Sequence, residues 1–394
     1  MAMELKEPEI RFDGFSGEWK KATLASLCSN FRSGKFIRSE DINKDGAYPV
    51  YGGNGLRGYT SEYNHEGSYA LIGRQGALCG NMNFSNGKAF FTEHAIAVQA
   101  NEKNDTLFLY YKLGSMNLGQ YSGQSAQPGL SVNKLSELET FTAGKVEQTA
   151  IGNYFHKLDT LINQHQQKHD KLSNLKKAML EKMFPKAGET VPEVRFDGFT
   201  GNWTTTSLSK IAHVIDPHPS HRAPDAVANG VPFIGIGDVD ENGHVDFKNV
   251  RIVPYHIYGE HRQRYQVEVG DFAYGRVASI GKIIDLSSNV DREYTYSPTM
   301  AIVKPVTLYS PYLKGYMNTS VFKGRVDNKT TGSTRKSLGV QDFRELSVCF
   351  PEQQEEQIKI GDYFLKLGLL INQHNQQITK LKNIKQACLD KMFV

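Results

Sequence analysis

The stretch KGRVDNKTTGSTRK, from Lys323 to Lys336, sets five cations, Lys323, Arg325, Lys329, Arg335 and Lys336, against a single acid, Asp327. Thr330, Thr331, Ser333 and Thr334 stand between them. Cations beside small hydroxyl donors are the chemistry that holds phosphate oxygens, although a solvated basic loop has the same composition. The net charge of +4 over 394 residues permits a polyanionic partner without requiring one. Covalent chemistry has the thinner case. There is no G-x-x-x-x-G-K-S/T phosphate loop, and FIGIGDVD has glycines without the G-x-G-x-x-G spacing. No G-x-S-x-G, no H-E-x-x-H and no Asn/Asp-Pro-Pro-Tyr/Phe motif of amino-methyltransferases is present, and SVNK and SLSK match S-x-x-K only as chance would. Cys28, Cys79, Cys349 and Cys388 form no C-x-x-C pair, which argues against both a zinc site and a disulfide scaffold. The reading is a non-enzyme, with no catalytic residue, metal or cofactor of its own.

The elements that must carry these residues are written twice. PEIRFDGFSGEW (Pro8 to Trp19) and PEVRFDGFTGNW (Pro192 to Trp203) agree at nine of twelve positions, which marks an internal duplication. Phe155 to Phe184 repeats as Phe364 to Phe393 at an offset of 209. In the first of these runs Ile151, Phe155, Leu158, Ile162, His165, His169, Leu172, Lys176, Met179 and Met183 fall at steps of four and three. Ile360, Phe364, Leu367, Ile371, His374, Ile378, Leu381, Lys385, Cys388 and Met392 do the same in the second. That is a heptad seam, and two helices of about 50 Å that bury their seams on each other are expected. His165, His169 and His374 read as polar seam residues that set register, not as metal ligands.

Between the repeats lie two private middles, rich in Gly, Tyr and Phe. YALIG, HAIAV, VPFIGIG, DFAYGRV, GKIIDL and TMAIV read as short strands, and TLFLYYKLGSM as a helix. Faint echoes join them: LIGRQGALCGN resembles AYGRVASIGKI, and LSVNKLSELE resembles LGVQDFRELS. A pseudo-two-fold α+β architecture follows, with two mixed α/β globular domains on a pair of long antiparallel coiled-coil helices. The boundaries are a shared opening segment 1–19, first domain 20–145, first helix 146–184, repeated opening 185–203, second domain 204–350 and second helix 351–394. No stretch is apolar for long enough to span a membrane and the start has no signal-peptide core, so a cytoplasmic protein is expected.

The doubled P-E-x-R-F-D-G-F-x-G-x-W opening, the GRQGALCG stretch and the Glu-Gln start of each helix (Glu147 in EQTAI, Glu356 in EQIKI) resemble the specificity subunit of type I restriction-modification systems, over nearly the whole chain. The resemblance implies that each middle is a target recognition domain reading one half of a bipartite, asymmetric site in double-stranded DNA. It implies helices that set the spacing and dock two methyltransferase (modification) subunits, which motor-nuclease (restriction) subunits then join. S-adenosylmethionine, ATP and Mg²⁺ would belong to those partners. Base reading needs Arg, Lys, Asn or Gln that reach groove edges. On that basis the candidates are Asn54, Arg57 and Tyr59 in YGGNGLRGY, Arg74 and Gln75 in GRQG, and Gln124, Ser125 and Gln127 in GQSAQPG. In the second domain they are Arg276, Lys282, Thr331, Ser333, Thr334, Arg335 and Lys336, with Arg74 and Arg276 at similar places and suited to phosphate or structure. Two alternatives stay open: a self-contained DNA-cleaving enzyme, which would cut with Mg²⁺ alone, and a protein-binding coiled-coil scaffold, whose binding would show little salt dependence.

Overall fold

The structure is a computed structural model that describes residues 7–123, 129–218, 220, 222–239, 245–332 and 336–394. The chain divides into two compact units, one built from Met1–Gln166 and Gln376–Val394, the other from Gln167–Asn375. The boundary cuts through both long helices, whereas the sequence reading treats each helix as a segment of its own.

In the first unit the order is β1 (Lys20–Thr23), α1 (Leu24–Leu27), β2 (Cys28–Ser33), β3 (Tyr48–Gly52), β4 (Gly55–Thr60), β5 (His65–Gly73), β6 (Met82–Phe91) and β7 (Ala95–Ala100). Then come α2 (Thr106–Ser115), α3 (Val132–Ser136), β8 (Glu139–Thr142) and the long helix α4 (Lys145–Lys182). Strands β2-β7-β5-β6-β3-β4 form one six-stranded sheet, antiparallel except where β3 runs beside β6, and β1 pairs with β8. YALIG lies in β5, HAIAV in β7 and TLFLYYKLGS in α2, as their patterns predict.

The second unit repeats the plan with β9 (Thr204–Ser207), α5 (Leu208–Ile211), β10 (Ala212–Ile215), β11 (Val231–Ile234), β12 (Arg251–Val253), α6 (Tyr255–Arg264), β13 (Phe272–Gly275), β14 (Ile283–Asp285), β15 (Thr295–Tyr296) and β16 (Met300–Pro305). It closes with α7 (Ser310–Tyr316), α8 (Ser320–Lys329), α9 (Val340–Glu345), β17 (Ser347–Phe350) and α10 (Gln354–Met392). The sheet order is β10-β16-β13-β14, with β15-β11-β12 as a separate sheet and β11 parallel to β15. This is the order of the first unit with its β6 broken into β14 and β15.

The shared sequences explain how each unit closes. Trp19 and Trp203 are each 3% exposed and anchor the two large cores. In the first unit Phe393, beyond the end of α10, stacks on Phe155 of α4 with ring centroids 5.6 Å apart, and Trp19 packs edge-on against it. In the second, Phe184 stacks on Phe364 at the same 5.6 Å, with Trp203 edge-on. Within the first unit Tyr154 meets Cys388 and Asp159 meets Lys385, so residue numbers rise on α4 as they fall on α10 and the paired segments run antiparallel. The residues of both predicted seams, from Ile151 to Met183 and from Ile360 to Met392, are all buried or half-buried, the three seam histidines half-buried among them.

The Glu-Gln pairs have equally local reasons. Glu147 takes a bidentate bond from Arg11 of the first RFDGF motif, at 2.7 and 2.8 Å, and Glu356 takes one from Arg195 of the second, at 2.7 Å twice. Gln148 accepts from the Asp105 amide at 2.9 Å, as Gln357 does from the Tyr309 amide at 3.1 Å, and so each fixes the start of the helix packed across it. Three residues past each Gln sits an Ile-Gly pair. A Cβ on Gly152 would come 2.9 Å from the Phe108 nitrogen, and one on Gly361 would come 2.7 Å from the Tyr312 nitrogen, so only glycine lets these helices approach so closely. Of the four cysteines, all free, Cys349 is buried and the others are half-buried.

Candidate nucleic-acid interface

The two echoed stretches come together in each unit, through the same backbone bonds. In the first, Gly73 donates to the Asn81 carbonyl, Gly80 to Gly73, Arg74 to His94 and Leu130 to Arg74, at 2.8, 2.8, 2.9 and 2.9 Å. In the second, Gly275 donates to Lys282, Gly281 to Gly275, Arg276 to Thr299 and Leu338 to Arg276, at 2.8, 3.1, 2.8 and 2.9 Å. A strand end, a glycine-rich loop, a tight turn and the lead into a short helix therefore form one platform, made twice.

On the first platform the β3–β4 turn sits against the loop. A Cβ on Gly73 would lie 2.5 Å from the Gly53 carbonyl, and one on Gly53 would lie 3.0 Å from the His94 carbonyl. This brings the exposed Asn54 beside Arg74 and Gln75. Arg57 is also exposed, its side chain lying across Gly52. Tyr59 is half-buried and its backbone pairs with Asn43 through bonds of 2.8 and 2.9 Å, on the far side of the hairpin from the loop. Arg74 is half-buried and reaches the Glu93 carbonyl at 3.5 Å. Gln75 is exposed, bridges to Gly129 and accepts at Oε1 from His94 Nδ1 at 3.0 Å. Gln124, Ser125 and Gln127 lie outside the described residues.

The second platform distributes its candidates differently. Arg276 is 6% exposed, donating to the carbonyls of Leu338 and Pro298 at 2.9 Å each and reaching Asp216 at 3.4 Å. Burial pulls its pKa down from the usual arginine value. The guanidinium thus fastens the loop to its neighbours, the structural half of what its position allows. Lys282 points its ammonium at the carbonyls of Val239 and Ile236 and closes the base of the loop. Thr331 and Lys336 remain exposed, with Thr331 pairing both ways with Ser337 at 2.9 Å and the Lys336 carbonyl accepting from Ala278 at 3.3 Å. Ser333, Thr334 and Arg335 lie outside the described residues.

Two residues that sequence reasoning passed over stand at the centre of the first platform, Glu93 and His94. Their counterparts are Pro298 and Thr299, since His94 and Thr299 accept the same backbone bond. The similarity of FTEHAIAV to YSPTMAIV is the sequence signal that marks that turn in both copies.

The loop also shows a local cost. Gly76 has φ +85° and its counterpart Ala278 has φ +63°, a region where a Cβ costs roughly 1–2 kcal/mol. Ala278→Gly is expected to stabilise the second unit by about 1 kcal/mol after the added chain entropy of glycine is subtracted, and so raise its Tm by roughly 2–4 °C. Calorimetry that finds no rise would show that the loop carries no strain at this residue.

One framework thus presents different side chains on the same two loops in the two units. Residues 16–174 match the family described as type I restriction modification DNA specificity domain. The specificity subunit of the type I restriction enzyme EcoprrI of Escherichia coli is 39% identical over 165 residues, 41% of this chain and 39% of that one. A putative type I restriction enzyme specificity subunit of Haemophilus influenzae is 28% identical over 134 residues, 33% of this chain and 34% of that one. The chain thus spans well under half the length of these two curated relatives. Its fold is that of the crystal structure of a type I restriction-modification S subunit from M. genitalium, with a TM-score of 0.66 at 17% identity over 98% of this chain and 99% of that one. Among the described residues no helix is long and apolar enough to cross a membrane.

Proposed function

We propose that the chain is the DNA sequence-recognition subunit of a type I restriction-modification complex, acting in the cytoplasm. Each unit reads one half of a bipartite, asymmetric duplex site. The long helices set the spacing of the halves and dock the methyltransferase subunits, which restriction subunits join. The chain itself is non-catalytic; S-adenosylmethionine, ATP and Mg²⁺ act on the partners. The observation that carries this reading is the twin platform: the same four backbone bonds in each unit, with Gln75, Glu93 and His94 on one and Val277, Pro298 and Thr299 at the matching places on the other. Shared backbone with unlike side chains is what two different half-sites demand, because base edges are told apart by side-chain donors and acceptors.

Titration of a duplex with the chain and its methyltransferase partners at a series of salt concentrations tests this. Each phosphate neutralised adds about 0.9 to the magnitude of the slope of log K against log salt, so a protein with several phosphate contacts shows a steep fall in affinity. A flat response would overturn the reading in favour of a protein-binding scaffold. Cleavage of DNA by the chain with Mg²⁺ alone would overturn its non-catalytic part.

A further inference from the structure

The turn between β6 and β7 holds a polar arrangement that the second unit lacks. The His94 ring lies between two oxygens, Gln75 Oε1 at 3.0 Å from Nδ1 and Glu93 Oε1 at 3.3 Å from Nε2. A ring N–H on Nδ1 donates to the Gln75 oxygen and turns the amide so that its NH₂ group faces away from the ring. Glu93 Oε1 stands beside Nε2 on the other side of the ring, while its second oxygen, Oε2, has no hydrogen-bond partner. In the second unit the same framework places are filled by Val277, Pro298 and Thr299, and the Thr299 hydroxyl is spent inward, accepting from the Ile236 amide at 3.1 Å. The polar trio therefore belongs to one reader only. Gln75 is exposed at the loop tip beside Asn54, with its orientation set before any ligand arrives.

We propose that Glu93 and His94 are positioning residues that fix the Gln75 amide, and that this fixed amide decides which base pair the first unit accepts at one position of its half-site. This rests on the reading of the chain as a DNA specificity subunit. With its oxygen engaged by the ring, the amide offers N–H donors outward, matched by the acceptor atoms of the major groove: N7 of a purine, O6 of guanine or O4 of thymine. Freed from the ring, the amide can turn either end outward, and discrimination at that base pair falls.

The test uses the chain assembled with its modification subunits and a pool of duplexes randomised across both half-sites, with methylation read at single-base resolution. Gln75→Ala identifies the position that the amide reads. His94→Phe keeps a planar ring in the same space and removes both nitrogens. It is expected to relax discrimination at that same base pair by about tenfold or more, the range of a single lost base contact, with the other half-site unchanged. Glu93→Ala is expected to relax the same position to a smaller degree. The proposal is overturned if His94→Phe keeps full discrimination, if it relaxes a position different from that of Gln75→Ala, or if it lowers methylation of all sequences equally, as a purely structural role would. The unsubstituted complex is the separate control on the underlying reading: absence of any sequence-specific methylation by it would overturn both.

Discussion

Glu356→Ala lowers the unfolding free energy of the second unit by an expected 3–5 kcal/mol or so, the usual cost of stranding one partner of a buried ion pair. The Glu356 side chain is 0% exposed and that of Arg195 is 14% exposed. The guanidinium also donates to the carbonyls of Gly201 at 2.7 Å and Thr200 at 3.1 Å, so one fork holds both the repeated opening motif and the first turn of α10. Removing the carboxylate leaves the half-buried guanidinium with its two carbonyl partners but without its counter-charge. Replacing both partners, as Arg195→Met with Glu356→Leu, removes that charge and is expected to recover most of the loss. Trp203, 3% exposed in this unit, reports unfolding by its fluorescence once Trp19 has been changed to Phe. A loss under about 1 kcal/mol would mean that the pair behaves as a screened surface bridge. Because Arg11 and Glu147 make the same clamp in the first unit, the parallel substitution there is a direct check that the motif has one role in both copies.

The second large effect is on sequence choice. Replacing residues 20–144, from β1 to the residue before α4, with the corresponding stretch of a related subunit is expected to replace one half of the methylated sequence and leave the other intact. The expected loss of methylation at the original site is about a thousandfold or more, the low end of the range between specific and non-specific binding. The exchanged segment carries its whole sheet, while the chain that receives it keeps Trp19, Phe155 and Phe393, whose rings close the bottom of the unit. The four backbone bonds of the second platform join residues between 275 and 338 and are untouched by the exchange. Methylation mapping in cells decides the matter: if both halves change together, the two units do not read separately.

Much of this architecture is legible in the chain because it is periodic or repeated. The heptad steps over Ile151–Met183 and Ile360–Met392 are local, set by 3.6 residues per turn, and each seam residue is buried or half-buried where the period puts it. The strands at YALIG, HAIAV and TMAIV announce themselves in the same way, by short β-branched and aromatic runs between turn residues. The doubled opening motif and the doubled Glu-Gln needed no structure to be seen as equivalent, since duplication copies sequence directly.

What each copied residue touches is a different matter. Arg74 and Arg276 look alike in the sequence, yet one lies half-buried at a loop and the other is 6% exposed with three oxygens around its guanidinium. The difference is made by Asp216, Pro298 and Leu338, residues 60, 22 and 62 positions away. Lys282 is a loop cation by composition and a bond to buried carbonyls by geometry. Glu93 and His94 show the reverse: nothing in the spacing of FTEHAIAV marks them, and they matter only because β5 and β7 are neighbours, which sets the turn before β7 against the loop after β5 and brings Gln75 within 3.0 Å of the ring. By itself the sequence determined what repeats along the chain, namely the duplication, the helices and the strands, because those follow from short-range periodicity and from copying. The tertiary structure alone decided which polar side chains are spent on holding the two platforms and which are left facing outward, because that choice depends on burial and on partners brought together by sheet pairing across many residues.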